Sequence, residues 1–222
     1  IGFVLSLLLV FRTNTAYDRW WEGRKKWGEM VNNSRNLGMK INSMIQDQND
    51  RKFFSRMIAN YAIAMKEHLR NGVVLQELKL EPEELIDIKE YNHQPNFIAQ
   101  LMYSRLNSLK KAREISEQEF LSLDINLMAF SDIIGACERI KNTPIPFSYA
   151  MFLKKFIFIY VTTLPLAFVT SLGYWTTAIA IFVFYALVSI EVLAEEIEDP
   201  FGKDANDLPI DKLAKTISDN IQ

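Results

Sequence analysis

Ile1 to Phe11 is almost wholly apolar, and the chain then turns abruptly charged, with Arg12, Asp18, Arg19, Glu22, Arg24, Lys25 and Lys26 set among Trp20, Trp21 and Trp27. An apolar body, an aromatic belt and a basic end describe a helix that leaves lipid on its cytoplasmic side. Trp27, Met30, Val31, Ser34, Leu37, Ile41 and Ile45 then recur at helical spacing, which carries the same helix to about Ile45. The polar run Gln46 to Asp50 breaks it. A second helix is predicted from about Arg51 to Gly72, where glycine favours a stop. From Glu77 to about His93 no period is sustained, which reads as a loop with one short helix after Pro82. A third helix is predicted over about Pro95 to Glu114. Ser116 and Glu119 have the spacing of a capping box, in which side chains satisfy the first backbone donors of a fourth helix running to about Lys141. No useful length of strand alternation appears, so the polar part is expected to be all-α.

Two apolar runs follow, Phe156 to Leu172 and Tyr174 to Leu193, each near the ~20 residues a bilayer span needs. Only Gly173 separates them, as a tight turn. Pro165 sits inside the first, where neighbouring helices or a local kink can absorb the lost hydrogen bond. Lys154 and Lys155 mark the inner mouth and the turn is uncharged, which puts the turn outside and the helical region in the cytoplasm. The pattern divides the chain into the inner end of a membrane helix (1–12), a cytosolic helical region (13–146), a transmembrane hairpin (147–193) and an acidic cytosolic segment (194–222). The chain opens inside an apolar run without Met, and is read as a fragment that lacks an earlier span.

Composition then narrows the chemistry. The net charge of −2 argues against nucleic acid as partner, since phosphate neutralisation needs a basic face. One cysteine, Cys137, excludes an internal disulfide and gives no zinc framework, and with only His68 and His93 besides, a metal-hydrolase centre is not expected. Neither a nucleophile elbow nor a glycine-rich phosphate cradle is present, and Cys137 reads as a small packed hydrophobe. No enzyme is expected.

Two features could carry transport. Phe3, Leu7 and Phe11 lie four residues apart and line one stripe of a helix. That stripe serves either for packing and lipid contact or, ringed around an axis by several subunits, as a hydrophobic constriction. Arg12 beside it is the charge most able to bias ion passage, although basic residues at a helix foot also anchor it at the interface. After the hairpin, Glu195, Glu196, Glu198, Asp199, Asp204 and Asp207 crowd around Pro200, Phe201 and Gly202. Such carboxylates can collect the oxygens calcium prefers, but the spacing is not that of an EF-hand, and a solvated acidic exit from the membrane explains them as well.

Three motifs in order resemble the bestrophins, in their bacterial branch: Phe11-Arg12-Thr13-Asn14-Thr15-Ala16-Tyr17-Asp18-Arg19-Trp20-Trp21-Glu22, then Cys137-Glu138-Arg139-Ile140 leading to Thr143-Pro144-Ile145-Pro146-Phe147-Ser148-Tyr149, then Glu198-Asp199-Pro200-Phe201-Gly202. The resemblance covers nearly the whole chain. It implies an all-α membrane protein of bestrophin-like fold, its long helices forming a transmembrane part and a cytosolic vestibule around the axis of a homopentameric ion channel. It further implies a neck at Phe3, Leu7 and Phe11 and a second, cytosolic constriction near Leu121. Animal members bind calcium at the Asp-Pro-Phe-Gly region, which falls here on Glu196, Asp199, Asp204 and Asp207. No cofactor is required, and calcium is the one candidate. The expected partners are membrane lipid, four further copies of the chain and small inorganic ions, and the expected location is a bacterial inner membrane. Animal bestrophins pass anions and bacterial ones can prefer cations; the acidic tail tilts the expectation here towards cations.

A membrane-anchored scaffold or sensor without conduction is the alternative, with the stripe used only for packing. A secondary transporter fits less well, because the spans hold few ionisable groups of the kind that mark coupling sites.

Overall fold

A computed structural model describes residues 1–70 and 72–221. Asn71, within the predicted second helix, and Gln222, within the predicted acidic tail, lie outside the described residues. Among those residues every regular element is helical: α1 (Gly2–Met44), α2 (Gln48–His68), α3 (Pro82–Asp87), α4 (Gln94–Lys111), α5 (Glu117–Asn142), α6 (Phe147–Leu172), α7 (Trp175–Glu198) and α8 (Ile210–Ile221), with single 3₁₀ turns at Leu75–Glu77 and Ile88–Glu90. The all-α expectation holds, and the continuity of α1 from its apolar start to Met44 is as the periodicity predicts.

The chain forms two compact units, one from residues 1–22 and 142–208, the other from 23–141 and 209–222. In the first, α6 and α7 pack as an antiparallel hairpin. Gly173 makes the turn with φ of 53° and ψ of −132°, a conformation open to glycine because a Cβ would clash with the backbone. Leu5 and Leu9 of α1 are buried against Leu153 and Ile157 of α6, with Leu187 and Val188 of α7 closing over them. Phe158, Leu166, Ile181, Phe182 and many other apolar residues of α6 and α7 remain exposed on the single chain. An exposed apolar surface of this extent marks contact with a membrane or another protein.

In the second unit α2 is central, with α4 and α8 packed along it. Asp47 caps α2 by accepting the Asn49 N–H at 3.3 Å, and the Gly72 N–H returns to the Glu67 carbonyl at 3.0 Å, as expected of a glycine stop. Tyr61 is fully buried and its hydroxyl donates to the Phe130 carbonyl of α5 at 2.9 Å. The capping box of α5 is formed, with the Glu119 N–H donating to Ser116 Oγ at 3.2 Å and the Ser116 N–H to Glu119 Oε2 at 2.7 Å.

Two elements depart from the sequence reading. Helix α5, like α6 and α7, is long and apolar enough to cross a membrane by length and composition. Much of its apolar face (Leu123, Leu127, Phe130, Ile133, Ile134 and Ile140) is buried inside its own unit. In addition, the segment read as an acidic tail ends in the amphipathic helix α8, whose Ile210, Ala214, Ile217 and Ile221 are buried. Residues 194–208 belong to the hairpin unit and 209–221 to the helical unit.

Candidate functional site: an apolar stripe above a buried ionic clasp

The first turns of α1 have two faces. Leu5, Leu9, Arg12 and Ala16 recur on the buried side. Gly2 lies there too: a Cβ on it would meet Tyr160 Oη at 2.8 Å, so a larger residue would make the end of that side chain give way. The Tyr149 hydroxyl adds a 3.1 Å bond to the Leu8 carbonyl. On the other side Phe3, Leu7 and Phe11 are 80%, 44% and 55% exposed. The helix is thus held by one face while an apolar stripe is presented on the other.

Arg12 takes the buried side, at 2% exposure. Its Nη2 lies 2.8 Å from Glu198 Oε2, and its Nε 3.7 Å from Glu191 Oε2. Glu191 and Glu198 are seven residues apart on α7 and share a helical face. Glu198 is the centre of a larger arrangement. Its Oε1 accepts the Ile145 N–H at 2.6 Å, and its carbonyl accepts Arg19 Nε at 3.0 Å. Arg19 also donates through Nη1 to the Thr143 carbonyl, and Trp20 Nε1 donates to the Asn206 carbonyl at 2.9 Å. The segments around Arg12–Trp20, Thr143–Ile145 and Glu198–Asn206, far apart in sequence, therefore meet in one clasp. Sequence reasoning singled out all three segments but did not foresee Glu191 and Glu198 as the carboxylates beneath Arg12. The signal was available: two acids seven apart on an apolar helix, facing a chain with an arginine at the foot of another.

The four proposed calcium residues come together. Glu196, Asp199, Asp204 and Asp207, with Glu195 and Gly202, line one open pocket of about 320 Å³. Two of their carboxylates are engaged within the chain: Asp207 Oδ2 accepts the Asp204 N–H at 2.7 Å, and Glu196 Oε2 accepts Asn206 Nδ2 at 2.7 Å. The Leu208 N–H closes the loop on the Pro200 carbonyl at 2.9 Å, and Phe201 is fully buried beneath it. A Cβ on Gly202 would stand 2.5 Å from Asp207 Oδ2, so a larger residue there would displace that carboxylate.

Leu121 lies on α5 in the other unit. It is exposed together with Ile125 and Met128, at helical spacing, in a second apolar stripe.

A family model for the bacterial/fungal bestrophins matches residues 1–222. A voltage-dependent anion channel-forming protein of Nostoc sp. is 38% identical over 99% of this chain and 74% of its own. Another of that name, YneE of Escherichia coli strain K12, is 33% identical over 98% of this chain and 72% of its own. The crystal structure of a bacterial bestrophin homolog from Klebsiella pneumoniae, carrying a point mutation, superposes with a TM-score of 0.94 at 30% identity, over 99% of this chain and 83% of that one. With these likenesses spanning both units and all three motifs, the chain belongs to the bacterial/fungal bestrophin family.

Proposed function

We propose that this chain is the subunit of a passive ion channel, a homopentamer with a narrow apolar neck formed by Phe3, Leu7 and Phe11 of each copy. The observation that carries the reading is the two-faced start of α1: one side is fixed to the hairpin by Leu5, Leu9 and Arg12, while the other presents an apolar stripe. A stripe so held, repeated around an axis, narrows a water-filled path with side chains that cannot replace an ion's hydration, and it gates by excluding water. The relatives named as anion channel-forming proteins support transport as the function.

The protein sits in a bacterial inner membrane with its helical unit in the cytoplasm. Lipid covers the outer surface of the hairpin. Arg12 serves as the charge just below the neck, held in place by Glu198. Leu121 marks a second, cytosolic constriction. The acidic pocket around Asp199 and Asp207 is the candidate calcium site, its carboxylates offering the hard oxygen ligands that ion takes. The apolar neck has no charge of its own, so ion sign is set elsewhere along the path. The acidic loop favours cations, whereas the relatives are named as anion channel-forming proteins.

The test is the reversal potential of the full-length protein in planar bilayers under asymmetric salt, with and without calcium. A shift towards the potassium or sodium Nernst potential is expected. A shift towards that of chloride overturns the cation preference while leaving the channel. The absence of current from a verified pentamer overturns the channel and favours a membrane-anchored scaffold.

A further inference from the structure

The chain has two histidines, and both converge on one carboxylate. His68 ends α2, His93 is the residue immediately before α4, and Glu138 lies on α5. His68 Nε2 is 2.7 Å and His93 Nε2 2.8 Å from the same oxygen, Glu138 Oε1. The two imidazole rings lie 4.4 Å apart, centre to centre. All three side chains are half-buried, and His93 and Glu138 border an open pocket of about 330 Å³ shared with Asn96, Tyr103 and Ser131. Among the described residues this is the one group of three or more His, Cys, Asp or Glu whose ligand atoms lie within 4.8 Å of one another.

We infer that His68, His93 and Glu138 form a binding site for a divalent transition metal of the zinc class. Two imidazoles and one carboxylate are the donor set that borderline ions such as zinc prefer over calcium or magnesium, which favour oxygen alone. Three protein ligands leave a fourth position for water, and the pocket beside His93 and Glu138 gives that water room. The donor distances are those of hydrogen bonds. A tetrahedral ion with bonds of ~2.0–2.1 Å separates its ligand atoms by ~3.3 Å, so the rings must draw back by roughly half an ångström. Side chains at the ends of α2 and α4 can make that adjustment more readily than side chains in mid-helix, since helix ends are held by fewer backbone bonds.

Metal uptake at this site carries a built-in cost to the start of α4. His93 Nδ1 accepts the Asn96 N–H at 3.2 Å, capping α4. With Nδ1 as acceptor, the neutral ring carries its proton on Nε2, pointing at Glu138. Metal ligation through Nε2 moves the proton to Nδ1 and forfeits the cap, so occupancy exchanges one tie on α4 for a cross-link among α2, α4 and α5. The open acidic pocket of the other unit is an oxygen-only set and competes for hard cations, not for this ion.

The experiment is a titration of zinc into metal-stripped full-length protein in detergent, followed by calorimetry, with cobalt(II) as an optical substitute. One ion per chain is expected, and the cobalt complex should show the intense visible bands of a four-coordinate site. His93→Gln and Glu138→Gln should each weaken binding by more than about tenfold, because even outer-shell changes cost 10–100-fold. Asp207→Asn should leave it unchanged. X-ray absorption on the zinc-loaded wild type should find two nitrogen neighbours, a readout independent of whether the variants fold. Failure of the wild type to take up zinc saturably, or a shell of oxygen alone, overturns the site. Neither result bears on ion conduction.

Discussion

Arg12 and Glu198 face each other at 2.8 Å, with Arg12 almost wholly removed from solvent. Removing one member of such a pair leaves a buried charge without its counterpart. Glu198→Ala should therefore lower the unfolding free energy of the full-length protein by about 3 kcal/mol, a little less than for an isolated buried pair because Glu191 remains near Arg12. Glu198→Gln, which keeps an acceptor for the Ile145 N–H, should lose less. Denaturation in detergent, with the two variants side by side, measures the difference. Equal stability of wild type and Glu198→Ala would show that Arg12 reaches water or another partner.

Phe3, Leu7 and Phe11 are exposed on the chain, so truncating them removes little of its own packing. The triple variant Phe3→Ala, Leu7→Ala, Phe11→Ala should fold and assemble as the wild type does, yet pass current with fewer closures and a larger unitary conductance. Single-channel recording gives the answer. A variant that falls apart with no change in any conductance would assign the stripe to packing instead.

Gly173 holds a φ of 53° with nothing within 4 Å of a Cβ added there. Space is available, so any penalty at this position comes from the backbone. Gly173→Ala should destabilise the hairpin by about 1–3 kcal/mol, the range for a residue held in a sparsely populated conformation. Thermal unfolding followed by circular dichroism would read it.

Asp211 of α8 accepts Arg70 Nη1 at 3.0 Å and Nη2 at 2.7 Å. That pair, helped by Lys66 and opposed by burial, pulls its carboxyl down to about 2 from an ordinary 3.8. A carboxyl lowered on folding contributes stability that is present above about pH 3.8 and is lost as pH falls through about 2. The side chain is 63% exposed, so the contribution is below about 1 kcal/mol after solvent screening. The stability difference between wild type and Asp211→Asn should be flat above pH 4 and shrink below it, as read by denaturant titrations across that range. A difference that grows on acidification would contradict the pairing.

Ile217 is buried where α8 packs along α2, and Ile221 reaches Gly38 of α1, its Cγ1 3.7 Å from a Cβ placed there. Ile217→Ala should cost about 2–4 kcal/mol, the transfer of the lost methyl groups plus the cavity they leave. Chemical denaturation of the full-length protein checks it.

The helices were legible wherever one periodicity ran unbroken. Trp27 through Ile45 announced α1, and Ser116 with Glu119 marked the start of α5 to the residue. Helix α8 was not seen because Glu195 to Asp207 dominated the local composition, although Ile210, Leu213, Ala214, Ile217 and Ile221 keep helical spacing. The apolar stripe was visible for the same reason as α1: spacing of four puts residues on one face. The clasp was not, because spacing says nothing about which helix a charged face will meet. Arg12, Glu191 and Glu198 are joined only once the hairpin closes. The histidine pair was hidden in the same way. His68 and His93 are separated by a loop of weak pattern, and Glu138 is contributed by a helix still further along.

Helix α8 completes the packing of α2 although it follows α6 and α7 in the chain. During translation the groove on α2 thus stays unfilled until both apolar helices have emerged from the ribosome. Closure of the helical unit therefore waits on a segment made after both apolar helices. A chain cut short before α8 would leave bare the face of α2 that Ile210, Ala214, Ile217 and Ile221 help to cover.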